Sequence, residues 1–261
     1  MDKKKIALSF SRSAENYDKF AALQRTLSKE LIESLSNVKM SPASVLDIGT
    51  GTGGAAFLLA AKFRDAKIIG CDIAPGMIMR AEKNNTFKNV SFTAGDAESL
   101  PFDDKSFDLV VSSTTFQWVD DIEKAFAEAK RVLKPGGFFA FVTFGPKTLS
   151  ELKRNYKIAF GNEADHLHKF RNIRELQAIL KDAGFNVLKF NTNTIREFYA
   201  DFRAFFKSLK GMGALNASPY LPKGLKSRTK MNSLIKYYEK NSRIGDRVYA
   251  TFESIKVICK A

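Results

Sequence analysis

Cysteine and histidine are scarce in this 261-residue chain, with two of each. Cys71 and Cys259 both fall inside apolar, strand-like runs, which fits reduced core residues better than a disulfide. His166 and His168 alone cannot assemble a zinc site at familiar ligand spacings, so no metal is expected. Long hydrophobic runs are missing too: no segment approaches the ~18 uncharged apolar residues of a membrane span. The basic start Met1-Asp2-Lys3-Lys4-Lys5 soon meets Arg12, Glu15 and Asp18. That leaves no room for the apolar region of a secretion signal, and a cytoplasmic location is expected. Repeats and low-complexity tracts are absent. Acidic residues are few, 28 against 42 Lys and Arg, for a net charge of +14. Such an imbalance points to an anionic partner, whether nucleic acid, membrane surface or acidic protein.

What is present reads as a globular α/β domain with additions: 44% hydrophobic and 27% charged residues are enough for a sizeable core. Phe20, Leu23, Leu27, Leu31 and Leu35 recur at three- and four-residue steps and predict an amphipathic helix over 20–35. Short β-rich runs follow at 44–48, 67–71, 90–93, 107–113 and 138–144, separated by helical stretches. This alternation predicts a mostly parallel sheet with helices on both faces. Pro135-Gly136-Gly137 reads as a turn before the fifth strand, and Asp182-Ala183-Gly184 as the end of a helix that begins near Asn172. Residues 248–259 form a last, edge-proximal antiparallel strand. Residues 196–243 differ, being broken by glycine and proline and carrying eleven Lys or Arg against three acidic residues. More than half of the net charge therefore sits there. The expected division is an N-terminal helical segment over 1–40, a core over 41–195 and 246–261, and a basic lid insertion over 196–245.

Val45-Leu46-Asp47-Ile48-Gly49-Thr50-Gly51-Thr52-Gly53-Gly54 is a strand entering a glycine-rich turn before a helix. Gly49, Gly51 and Gly54 match a dinucleotide fingerprint by spacing, yet Asp47 would repel a pyrophosphate and suits an ammonium. Asp72, ending the next strand, can take both hydroxyls of a ribose. Asp96, in Gly95-Asp96-Ala97 after the third strand, offers an acceptor for an adenine amino group. One such acid is usually a helix cap. Three at the ends of successive strands mark the crevice where open α/β sheets bind ligands.

These segments, with Arg131-Val132-Leu133-Lys134-Pro135-Gly136-Gly137, resemble the class I methyltransferases over roughly residues 40–145. The resemblance implies a Rossmann-like, seven-stranded sheet with an antiparallel last strand. It also implies S-adenosylmethionine as cofactor, held by Tyr17, Asp47, Gly49, Thr50, Gly51, Asp72, Ile73, Met77, Asp96, Ala97 and Ser113. After the fourth strand the chain reads Ser112-Ser113-Thr114-Thr115-Phe116-Gln117-Trp118, not the Asn/Asp-Pro-Pro-Tyr/Phe pattern of amino-methylating enzymes. A carboxylate acceptor, already ionised at neutral pH, needs no base, and an apolar lid favours its reaction with a cation. Phe10, Tyr17, Phe116, Trp118 and the aromatics of 198–206 are the lid candidates.

Three further blocks resemble the malonyl-acyl-carrier-protein O-methyltransferases of biotin synthesis, the BioC family. They are Phe10-Ser11-Arg12-Ser13-Ala14 through Tyr17 with Leu23-Gln24-Arg25, then Gln117-Trp118, then Ser208-Leu209-Lys210-Gly211-Met212-Gly213-Ala214. This resemblance implies methyl transfer to the free carboxylate of a malonyl thioester, with Tyr17, Trp118 and Lys210 at the reaction site. The basic lid then has an acidic acyl carrier protein as partner. An RNA methyltransferase, or one acting on a small molecule such as a quinone precursor, is the alternative. No RNA-recognition module accompanies the core.

Overall fold

The computed structural model describes residues 2–161, 170–217 and 228–261. His166, His168, Lys223 and Lys226 lie outside them. In chain order the elements are α1 (Lys3–Ser13), α2 (Tyr17–Phe20), α3 (Ala22–Ser34), β1 (Ser44–Ile48), α4 (Gly54–Lys62), β2 (Lys67–Asp72), α5 (Pro75–Asn84) and β3 (Val90–Ala94). They continue with β4 (Phe107–Ser113), α6 (Ile122–Val132), β5 (Leu133–Phe144), α7 (Ser150–Phe160), α8 (Ile173–Asp182) and β6 (Asn186–Tyr199). The last are α9 (Phe202–Gly211), α10 (Ala214–Ala217), α11 (Arg228–Asn241), β7 (Arg243–Ile244) and β8 (Arg247–Lys260).

One sheet runs β3-β2-β1-β4-β5-β8-β6, with the short β7 paired to β8. Neighbours from β3 to β5 are parallel, and β8 is antiparallel to both β5 and β6. The order in which strands are added reverses between the parallel β1 and β4, opening a crevice at their carboxyl ends, where α/β sheets take ligands. β1 is apolar on both faces because helices cover both. One face buries Val45, Leu109 and Val142 in one cluster with Leu27 and Leu31 of α3 and Leu59 of α4. The other buries Phe126, Phe139 and Phe141 against α6 and α8. Each such side chain contributes ~1.5–3 kcal/mol when removed from water.

The structure refines several expectations. The helix over 20–35 is two pieces, breaking at Ala21, whose ψ of 35° leaves the helical range. Pro135-Gly136-Gly137 is a bulge within β5 rather than a preceding turn: Gly136 has φ +77° and the register with β4 shifts there. Asn172 caps α8 reciprocally with Glu175. β6 answers to no apolar run, because it is an edge strand whose positions are mostly exposed and its polar residues face water. It continues unbroken through residue 195 to Tyr199, pairing with Val248. Phe116 belongs to the core, edge-on to Phe126 at 5.0 Å, and Phe202 and Phe205 are buried as well. Both cysteines are free and buried.

Candidate functional site

The crevice is built on a strained loop. Gly49 has φ +70° and Gly51 φ +56°, a region costly for any side chain. A Cβ on Gly49 would lie 2.1 Å from Thr115 Oγ1, whereas one on Gly51 would meet nothing within 4 Å. Gly51 therefore marks the loop's open face. The Gly49 and Thr50 amides donate to the Cys71 carbonyl at 2.7 and 3.0 Å, and Asp72 accepts from the Gly51 amide at 2.9 Å and the Ala74 amide at 2.8 Å. The second-strand acid thus holds the first-strand loop in place while each oxygen keeps a free lone pair. Burial raises the Asp72 pKa against these amide donors.

Asp47 is fully buried beneath the loop, and neither carboxylate oxygen makes a hydrogen bond. Burial pushes its pKa up to about 7, while the nearby Thr50 hydroxyl and Ala56 amide, short of hydrogen-bond geometry, favour ionisation slightly and Asp72 opposes it. An ion in that state costs several kcal/mol unless donors reach it. Asp96 is already engaged, one oxygen accepting from Lys3 Nζ and the other from the Glu98 amide, at 2.6 and 2.9 Å. Lys3 also reaches Glu98 at 2.6 Å. Together with the Gly76 amide donating to Ser11 Oγ at 3.1 Å, this pair pins α1 across the mouth of the crevice.

Two cavities meet there. The first, about 780 Å³, has Asp72, Ile73 and Met77 on one wall, Asp96 and Ala97 on a second, and Gly49, Gly51 and Ser113 on a third. The second, about 890 Å³, is an apolar chamber between α3, α7 and the α9–α10 corner. Phe10, Tyr17, Thr114 and Trp118 line both, with Phe10 edge-on to Trp118 at 5.3 Å and to Tyr17 at 6.5 Å. Burial, with the charges of Asp72 and Asp18, drives the Tyr17 phenol far above its ordinary pKa and keeps it neutral.

Most of the expected residues therefore converge. Asp47 sits below the first cavity rather than on its wall, and Thr50 lines a neighbouring groove, its hydroxyl unpartnered. Lys210 is exposed and lines none of the described cavities, although Leu209 and Met212 beside it line the chamber. Lys3 and Lys153 escaped notice. Each carries a helical-period signal: Lys3, Ile6 and Phe10 share one face, and Lys153 falls four residues after Leu149, where an apolar residue is due.

Residues 46–141 match a family model described as a methyltransferase domain. The malonyl-[acyl-carrier protein] O-methyltransferase of Geobacter sulfurreducens is 38% identical over 258 residues, 97% of this chain and 96% of that one. The chain belongs to the malonyl-acyl-carrier-protein O-methyltransferase family. A biotin biosynthesis bifunctional protein BioHC from Cellvibrio japonicus is 34% identical over the whole of this chain and 51% of its own, so this methyltransferase matches half of a two-function protein. Its fold is similar to that of the Haemonchus contortus phosphoethanolamine N-methyltransferase 2 solved with S-adenosyl-L-methionine, with a TM-score of 0.55, 21% identity, 95% of this chain covered and 57% of that one. The cofactor of such a methyltransferase, S-adenosylmethionine, suits the residues present. Asp47 has two unpartnered buried oxygens to offer an ammonium, Asp72 has lone pairs left for a ribose, and the open face at Gly51 admits a ligand close to the backbone.

Proposed function

We propose that this enzyme transfers a methyl group from S-adenosylmethionine to the free carboxylate of malonyl-acyl carrier protein, giving the methyl ester that enters pimeloyl and biotin synthesis. The observation that carries this reading is the chemistry of the chamber beside the cofactor pocket. Among the described residues lining it there is no Asp, Glu or His. Its ionisable side chains are Tyr17, held neutral, and Lys153. A chamber without a carboxylate or imidazole base suits an acceptor that is already an anion, and a carboxylate with an ordinary pKa near ~4 is one.

When bound, the cofactor supplies an electrophilic methyl group on a cationic sulfur. The protein's task is to align the acceptor and exclude water. Phe10, Tyr17 and Trp118 form the aromatic wall between the two cavities and serve both ends. Their apolar surface also favours a reaction in which opposite charges disappear, since solvation of those charges is what water would offer against it.

The carrier's acyl arm enters, in this reading, through a groove flanked by Lys19 and Lys207, which shares Gln24, Met212 and Phe252 with the chamber. The surrounding positive charge attracts an acidic carrier protein. Exposed Lys210 adds to this charge rather than acting on the reacting atoms. The test is to incubate the protein and methyl-labelled cofactor with malonyl carrier protein, malonyl coenzyme A and bulk RNA. Label should appear in the carrier-bound malonyl group and be released by ester hydrolysis. Label in RNA, or none in a malonyl thioester, overturns the proposal.

A further inference from the structure

Lys153 is an unusual residue for the wall of an apolar chamber. It projects from α7, and its neighbours on that wall are Leu149, Leu152, Phe144 and Phe170. Among the described residues its ammonium group makes one hydrogen bond, to the Pro146 carbonyl at 3.3 Å, and it lies 4.7 Å from the centre of the Phe170 ring. Neither partner is anionic, and no described carboxylate forms an ion pair with it. Burial of part of the side chain lowers its pKa, and among the described residues no acidic group balances its charge when protonated. A group in that condition gains from an anion brought into the same chamber, because attraction in a poorly solvated site is stronger than in water.

We propose that Lys153 is the acceptor-recognition residue of this enzyme, its Nζ donating to one oxygen of the malonyl carboxylate while the other oxygen takes the methyl group. The inference rests on the functional reading above and adds the basis of specificity to it. It also explains turnover. The ester product is neutral, so the ion pair that selects the substrate is abolished by the reaction itself, and the product leaves a site that no longer holds it. A thioester without a terminal carboxylate has nothing to offer Lys153 and leaves the lysine desolvated and unpaired, which is a penalty rather than a mere lack of gain.

The experiment compares binding of malonyl carrier protein and of its methyl ester to wild type, Lys153→Met and Lys153→Arg, in the presence of S-adenosylhomocysteine so that no turnover occurs. Wild type should prefer the acid over the ester by about 10- to 100-fold. Lys153→Met should lose that preference, with KM for malonyl carrier protein raised to a similar degree. Lys153→Arg should restore most of both, and cofactor affinity should stay within about twofold throughout, since Lys153 does not line the cofactor cavity. A Lys153→Met protein that binds cofactor normally and keeps the wild-type acid-to-ester ratio overturns the inference. If that variant fails to bind cofactor, Lys153→Gln decides by the same ratio. Wild type that does not methylate malonyl carrier protein at all overturns the functional reading instead, so the two failures are distinguishable.

Discussion

Replacing Asp47 by asparagine should stabilise the cofactor-free protein while destroying cofactor binding. The carboxyl is fully buried without a hydrogen bond, and its pKa rises from an ordinary 3.8 to about 7 by burial first and the charge of Asp72 second. The folded state therefore holds the proton more tightly than the unfolded chain does. The resulting stability is fully present below 3.8 and is lost as pH rises through about 7. At about 1.4 kcal/mol per tenfold in proton affinity, the full penalty above that range is up to about 4 kcal/mol. Asparagine does not ionise, so Asp47→Asn escapes the penalty. Its advantage should be close to nothing near pH 4 and greatest near pH 8, where urea unfolding of the two cofactor-free proteins measures it. Cofactor binding should show the opposite preference, because a cation near Asp47 requires the ionised form. For the wild type, affinity should rise with pH up to about 7 and then level, with proton release on binding at lower pH. An Asp47→Asn protein no more stable than wild type near pH 8, or a stability gap that does not narrow on acidification, refutes the reasoning.

Three further outcomes are expected. Asp72→Ala should weaken cofactor binding by about 1.5–3 kcal/mol, the value of hydrogen bonds to a charged group, and unchanged affinity by calorimetry in a folded variant would remove Asp72 from the site. Gly49→Ala places a Cβ 2.1 Å from Thr115 Oγ1 at a positive φ and should lower stability by about 1–3 kcal/mol, with Gly49→Ala/Thr115→Gly recovering part of the loss in thermal unfolding. Lys19→Ala/Lys207→Ala should slow association with malonyl carrier protein, leave turnover at saturation nearly intact and flatten the salt dependence of kcat/KM; identical salt slopes for the variant and wild type would exclude this groove as the carrier's approach.

Residues 40–145 carried their fold in plain view because both faces of that sheet are covered. Strands such as β1, buried on each side, leave continuous apolar runs, and the turns that end them must place glycine and aspartate where a ligand meets the backbone. Local chemistry alone therefore singled out Asp47, Gly49, Gly51, Asp72 and Asp96 as candidates, and the fold brings the last four to one crevice with Asp47 buried beneath it. β6 left no such trace, since an edge strand with one partner and mostly exposed positions needs no apolar pattern. The ion pair from Lys3 to Asp96 and Glu98, 93 and 95 residues away, is likewise invisible to local periodicity, as is the junction where Phe10, Tyr17, Thr114 and Trp118 part the two cavities. Resemblance singled out Ser208-to-Ala214, and helix phase turned its Leu209 and Met212 inward to line the chamber and left Lys210 in water. Which lysine faces the acceptor is decided by how α7 packs against β8, where the buried Glu151 accepts from the Thr251 amide and hydroxyl at 2.9 and 2.6 Å. That long-range contact sets the rotation of the helix and with it the placement of Lys153, a property of packing that no short stretch of sequence contains.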